Sequence, residues 1–253
     1  MPLFHFCELK RKMRIPRIYH PQNMLIGQET LLDERSAHYL TNVLRMREGG
    51  ELTLFNGKGD EFSGSLIALD RKKATVMVKS QCQPNSESTL HTTLGIGLSR
   101  GERMDYVVQK STELGVSVIQ PLFTEFCEVK LDAKRSVKKI EHWVQVSISA
   151  CEQSGRVVLP EIREPQSIQD WLKTAPTCQH KFLLDQSQPA ILSTLNKPET
   201  VALLIGPEGG FSDKEKTLAL DQGFMGLNLG SRTLRTETAP IAALSLFQFL
   251  WGS

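Results

Sequence analysis

Beyond residue 92 the chain alternates short apolar runs with amphipathic stretches, and this alternation restricts the fold more than any other feature. The runs "TLGIGLS" (93–99), "VSVIQPL" (116–122), "KFLLD" (181–185) and "VALLIG" (201–206) are compact. Such runs fill a parallel sheet that is covered on both faces. Helical patterns lie between them. One covers 102–115, with Met104, Val107, Val108 and Leu114 inward and Gly115 as its stop. A long one is opened by Asp132, carries Val137, Ile140, Val144, Ile148 and Cys151 on one face, and ends at Gly155. A short helix follows over 167–175, then one with a Ser212/Glu215 capping box closed by Gly223. "GLNLG" (226–230) reads as a last strand and 240–251 as a very apolar last helix. Strand and helix in alternation predict an α/β domain with a mostly parallel sheet.

The first third reads differently. "ELTLFNG", "SGSLIALD" and "KATVMVKS" are short β-type runs separated by Gly- and Asp-bearing turns. One helix is expected near 34–47, with Ala37, Leu40, Val43 and Leu44 inward and Gly49 and Gly50 at its end. This pattern suggests a small barrel with one helix. The polar stretch "QCQPNSESTLH" (81–91) reads as the linker between the two patterns.

Composition narrows the function classes only slightly. The net charge of +2 singles out no nucleic-acid binder. The five cysteines are scattered, with no Cys-x-x-Cys or Cys/His cluster, so no metal site is expected and free thiols fit a reducing cytoplasm. No run is long and apolar enough to span a bilayer. Met13 opens "MRIPRIYH" like a natural start, so residues 1–12 are expected to be an extension without function.

Two loops carry chemistry. "LLIGPEGGFSDKE" follows an apolar strand and leads into a helix N-terminus. Its glycines let backbone approach a ligand, and free N–H groups wait at the helix start. Ligands in α/β folds sit outside the carboxyl ends of strands, where this loop lies. "LNLGSRTLRTETAP" sets Gly230, Arg232, Arg235 and Glu237 before the apolar last helix. Those charges need partners or a ligand, and an Arg235–Glu237 pair is the plain alternative. No Walker loop occurs. "GIGLSR" (95–100) starts like a dinucleotide motif but has Arg100 where the third glycine belongs, so a structural role is expected.

Together these loops resemble the ribosomal RNA small subunit methyltransferase E family of the SPOUT superfamily. The matching words are "RIPRIY" (14–19), "HYLTNVLRMREGG" (38–50), "KSTELGV" (110–116), "EQSGR" (152–156), "LIGPEGGFS" (204–212) and "LGSRTLRTETA" (229–239). Six words in order, from Met13 to Trp251, make the resemblance specific. One departure is Phe126, in "TEFCEVK", where the family often has an arginine.

The resemblance implies a PUA-like RNA-binding barrel over 13–83 and a knotted parallel-sheet methyltransferase domain over 88–253. It implies a homodimer, S-adenosyl-L-methionine as cofactor, and N3-methylation of a uridine in 16S rRNA of the small ribosomal subunit, uridine 1498 in the family's RNA numbering. The cofactor would lie on Leu184, Ile205, Gly206, Pro207, Glu208, Gly209, Gly210, Leu229, Gly230, Leu234, Arg235 and Thr236. Uridine N3 is a poor nucleophile while protonated, so a cation favouring the deprotonated base and a proton acceptor are required. Arg235 and Arg232 are the candidate cations, and Glu208 is a candidate base or ligand holder. Arg14, Arg17, Tyr19, His38, Tyr39, Arg45 and Arg47 supply basic and stacking groups suited to RNA. Lys110, Glu152 and Arg156 fall in family words and are expected on the substrate side. The alternatives are an RNA-binding assembly protein without catalysis, and another SPOUT enzyme such as a ribose 2′-O-methyltransferase.

Overall fold

The computed structural model describes residues 15–174, 177–185 and 192–252. The chain forms two compact units, Met1–Gln83 and Pro84–Ser253. Arg14 and residues 1–12 lie outside the described residues.

The first unit contains β1 (Arg17–Tyr19), β2 (Glu29–Leu32), α1 (Glu34–His38), β3 (Glu51–Phe55), β4 (Glu61–Leu69) and β5 (Ala74–Cys82). They form one curled sheet in the order β1-β3-β4-β5-β2, with only the β1–β3 pair parallel. Alternate residues face inward, as a strand requires. Leu52, Leu54, Phe62, Leu66, Ala74, Val76 and Val78 form the core with Ile18 and Leu32.

The expected helix over 34–47 is a correction. Asp33 caps α1 by accepting from the Ser36 N–H at 2.7 Å. The chain then widens into a π-helical turn, Tyr39–Val43, and the Leu44 N–H reaches back to the Tyr39 carbonyl at 3.0 Å. The wider turn rotates the following residues out of phase with the core. Ala37 and Leu40 are buried as expected, but Val43 is 59% exposed and Leu44 is exposed too. Arg45, at φ 51°, ends the helical run ahead of Gly49.

The second unit adds β6 (His91–Gly97), α2 (Glu102–Glu113), β7 (Val118–Phe123), α3 (Ala133–Ser154), β8 (Glu161–Ile162), β9 (Gln166–Ser167), α4 (Ile168–Lys173), β10 (His180–Leu184), β11 (Thr200–Ile205), α5 (Asp213–Asp221), β12 (Met225–Leu227) and α6 (Thr238–Trp251). The seven strands are all parallel, in the order β12-β10-β11-β6-β7-β8 with β9 also on β7. The β11 side chains alternate between two cores. Leu203 and Ile205 pack with Met104, Val107 and Val108 of α2, Trp143 of α3 and Phe247 of α6. Ala202 and Leu204 pack with Ile168, Trp171 and Leu172 of α4 and Ala219 of α5. Helices thus cover both faces, which explains the unbroken apolar strand runs.

The caps fall where the residues place them. Asp132 accepts from the Arg135 N–H at 2.8 Å, Gly155 closes α3 at φ 88°, and Ser212 and Glu215 form a reciprocal capping box. On α3 the burial is offset from expectation: Val137 is exposed, while Trp143, Ser147 and Ala150 join Ile148 and Cys151 inside.

"GIGLSR" is structural. A Cβ on Gly95 would stand 2.6 Å from the Trp171 ring, and one on Gly97 would stand 2.9 Å from the Gly206 carbonyl carbon and closer still to Pro207. The glycines let α4 and the "GPEGG" loop press onto β6.

Candidate functional site

Because the strands run parallel, β6, β10, β11 and β12 all end on one edge. The loops following them therefore collect there, as the crevice rule for open α/β sheets demands.

The loop after β11 turns at once. The Gly210 N–H donates to the Pro207 carbonyl at 2.9 Å, and Gly210 sits at φ 71°. That conformation explains glycine here, because the space around a Cβ at Gly210 is open. Gly206 and Gly209 are glycine for closeness instead. A Cβ on Gly206 would lie 3.0 Å from the Gly210 carbonyl carbon, and one on Gly209 would lie 2.7 Å from the Phe126 Cβ.

The loop after β12 is tied to the end of β10, with the Asp185 N–H donating to the Leu227 carbonyl at 3.2 Å. Asn228 Oδ1 accepts from the Gly230 N–H at 2.7 Å, and Gly230 takes φ 107°. Between these segments lies a cavity of about 290 Å³ lined by Leu184, Asp185, Leu227, Leu229, Gly230, Arg232, Thr233 and Leu234. Its apolar walls and exposed loop backbone suit a ligand with both an aromatic ring and polar groups. Leu184, Leu229, Gly230, Leu234 and Arg232, all predicted from sequence, meet in it.

Arg235 opens α6 with its backbone, its carbonyl accepting from the Thr238 and Ala239 N–H groups at 2.9 and 3.0 Å. Its side chain and that of Arg232 are exposed. Neither has an ion-pair partner among the described residues, so the plain Arg235–Glu237 pair is not formed. Thr236 is buried beside them.

Glu208 is engaged rather than open. Arg103 Nη1 donates to its Oε1 at 2.5 Å. Burial pushes the Glu208 carboxyl up, but its own backbone N–H, the Arg103 guanidinium and the Arg100 backbone outweigh that and hold it below the usual carboxylate range. A carboxylate held ionised is a better acceptor and holder than a general base. Arg103 was missed by sequence reasoning. It lies on the first turn of α2, far from Glu208 in the chain, and no local motif joins them.

Two expected RNA contacts are corrected. Arg156 is only 6% exposed. Its Nε and Nη2 donate to Glu87 Oε2 at 3.0 and 2.9 Å, and Nη1 donates to the carbonyls of Thr112 and Val116, both at 2.9 Å. The guanidinium joins α2, the turn after α3 and the segment before β6. Arg17 pairs with Glu61 and lies over the Phe55 ring at 5.2 Å, so its charge is spent inside the sheet. Lys110 pairs with Glu113 at 2.8 Å along α2. Tyr19 is half-buried, tilted against Phe55 at 5.6 Å, and burial raises its phenol pKa. By contrast His38 at the end of α1, Tyr39 on the π-helical turn, and Arg45 and Arg47 in the loop after it are exposed.

The fold and the paired glycine loops define a class. Residues 86–248 match the RNA methyltransferase domain family, and residues 32–79 match the RNA methyltransferase PUA domain. The chain belongs to the ribosomal RNA small subunit methyltransferase E family. It is 37% identical to that enzyme of Buchnera aphidicola subsp. Schizaphis graminum, over 95% of this chain and 98% of the relative. It is 31% identical to the Bacillus subtilis enzyme, over 84% and 86%. A methyltransferase from Legionella pneumophila, solved with the cofactor SAM bound, superposes with a TM-score of 0.91 at 42% identity, covering 95% of this chain and 99% of that one. The Neisseria gonorrhoeae ribosomal RNA small subunit methyltransferase E, bound to S-adenosyl methionine, superposes with a TM-score of 0.88 at 37% identity, covering 94% and 99%.

Proposed function

We propose that this chain transfers the methyl group of S-adenosyl-L-methionine to N3 of a uridine in bacterial 16S rRNA, uridine 1498 in the family's RNA numbering. The observation that carries the reading is the cavity between the end of β10 and the Gly230 loop, at the sheet edge where the "GPEGG" loop also turns. Relatives matched over nearly their whole length are named ribosomal RNA small subunit methyltransferase E, and two solved neighbours hold this cofactor.

The residues fit the cofactor. Leu184, Leu229 and Leu234 offer apolar wall in the cavity, and Gly206, Gly209, Gly210 and Gly230 carry no side chain to cover their backbone, whereas Ile205 and Pro207 are buried and do not line it. When bound, it supplies an electrophilic methyl group on a sulfonium. The protein's own work is orientation and electrostatics. Arg235 and Arg232 favour the anionic form of the uracil and so expose a nucleophilic N3. Arg235 is well placed for this because α6 fixes its backbone while its guanidinium has no competing carboxylate among the described residues. Glu208, held ionised by Arg103, accepts a hydrogen bond from substrate or cofactor.

The division of labour follows the two units. The first, with His38, Tyr39, Arg45 and Arg47 exposed, supplies stacking and cationic contacts to RNA. The second holds the cofactor, and its loops form the family's deep trefoil knot. The enzyme works as a homodimer in the cytoplasm, on ribosomal RNA in the small subunit. The open part of α6 supports the dimer: Leu244, Phe247 and Trp251 fill the core, while Phe249 stays 83% exposed. Among the described residues no helix is long and apolar enough to cross a membrane.

The test is transfer from tritiated S-adenosylmethionine to small-subunit particles from a strain lacking this methylation. The expected result is stoichiometric label in 16S rRNA. Cofactor binding without transfer to particles or free rRNA would favour an assembly protein without catalysis.

A further inference from the structure

Phe126 holds an aromatic ring open to solvent, 47% exposed. The backbone around it is pinned. The Glu125 N–H donates to Glu215 Oε1 at 2.8 Å, and Glu215 is itself buried in the capping box of α5. The Cys127 N–H donates to the Thr124 carbonyl at 3.1 Å, and its Sγ meets the Leu98 carbonyl at 3.4 Å. These bonds fix the backbone from which the ring projects. Its Cβ abuts Gly209 of the cofactor loop, and the ring borders a cavity of about 860 Å³ that Arg100, Arg103, Glu128 and Glu208 also line.

The charges indicate what fits there. Arg103 is paired with Glu208 at 2.5 Å and Arg100 with Glu128 at 3.0 Å. Once these cancel, Glu102 and Glu125 remain in the lining, so a phosphate is disfavoured. A neutral planar ring bearing both carbonyl acceptors and an N–H donor is favoured. It stacks on an aromatic face and takes hydrogen bonds to its carbonyls from a guanidinium. Uracil is such a ring. We propose that Phe126 is the stacking platform for the extruded base of the target uridine, with Arg103 beside it to bond a uracil carbonyl. This rests on the methyltransferase reading above.

The experiment uses full-length protein and unmethylated small-subunit particles, with cofactor Kd from calorimetry as the check on folding. Absence of transfer by the unaltered protein would reject the enzymatic reading itself. Given transfer, Phe126→Leu keeps apolar contact with Gly209 but lacks a ring face. Loss of base–aromatic stacking is expected to raise KM for the particle by about 5- to 150-fold, with cofactor Kd within twofold. Phe126→Tyr restores the ring and is expected to recover KM to within about threefold of the unaltered protein. An unchanged KM in Phe126→Leu overturns the proposal. Equal impairment of the Leu and Tyr variants overturns it too, because shape rather than a ring face would then matter. A second measurement needs no variant. RNA carrying 5-iodouridine at the target position is irradiated on the unaltered protein, and the adduct is mapped by peptide mass. A cross-link at Phe126 is expected, and cross-links confined to other residues contradict the proposal.

Discussion

Gly97 and Pro207 meet at the carboxyl edge of the sheet so closely that no side chain fits between β6 and the "GPEGG" loop. The end of one central strand is thereby the floor on which the turn of the neighbouring loop rests. Gly97→Ala must push that loop outward, at an overpacking cost of about 1–3 kcal/mol. Calorimetry is expected to show cofactor affinity reduced by about tenfold or more in a variant that still folds. Unaltered affinity would mean that the loop position does not set the cofactor site.

Arg156 separates a structural role from an RNA-binding one. Its guanidinium is buried against Glu87 and two carbonyls. Arg156→Ala leaves the partly exposed Glu87 carboxylate without its cation and the Thr112 and Val116 carbonyls without their donor, a loss of about 2–3 kcal/mol. Chemical denaturation is expected to show that loss, while RNA affinity of the folded fraction, read by filter binding, stays near that of the unaltered protein. A stable variant with weakened RNA binding would reverse the assignment.

Such arginines show where sequence reading stops. The α/β alternation, the caps at Asp132 and Ser212 and the two glycine loops are local, and each was legible in the residues. Burial of Arg156 and Arg17 depends on Glu87 and Glu61, partners far along the chain that no short motif marks. The π-helical turn at Tyr39–Val43 was equally hidden, because Val43 and Leu44 have the right spacing for a helix and the wrong phase once the turn widens. The Arg103–Glu208 pair, which changes the role given to Glu208, arises only when α2 and the loop after β11 meet.

His20 makes the first unit acid-sensitive. It is buried, with Nε2 2.9 Å from the Thr30 hydroxyl. Burial lowers its pKa below 6.5, with Asp33 opposing weakly. The unfolded chain therefore binds a proton that the folded one does not, so stability is full above about pH 6.5 and falls as pH drops towards the lowered folded value. Thermal melts at pH 7.5 and 5.5 are expected to differ for the unaltered protein, and His20→Gln is expected to narrow that difference. An equal drop in both proteins would remove His20 as the cause.

Arg235 is expected to act on turnover. Its side chain is exposed and has no ion-pair partner among the described residues, while its carbonyl holds the start of α6. Arg235→Ala keeps that carbonyl and removes the charge proposed to stabilise the anionic uracil. Losing one preorganised electrostatic partner costs about a hundredfold in kcat. Cofactor Kd is expected to change by less than about threefold. Normal kcat in this variant would exclude the residue from catalysis.

The central claim is the atom that receives the methyl group. Small-subunit rRNA methylated by the purified protein is digested to nucleosides and oligonucleotides and analysed by mass spectrometry. One N3-methyluridine per 16S molecule is expected, at the family's uridine and absent from untreated particles. A methyl group on a ribose 2′-oxygen or on another base, or no methylated nucleoside at all, would contradict it.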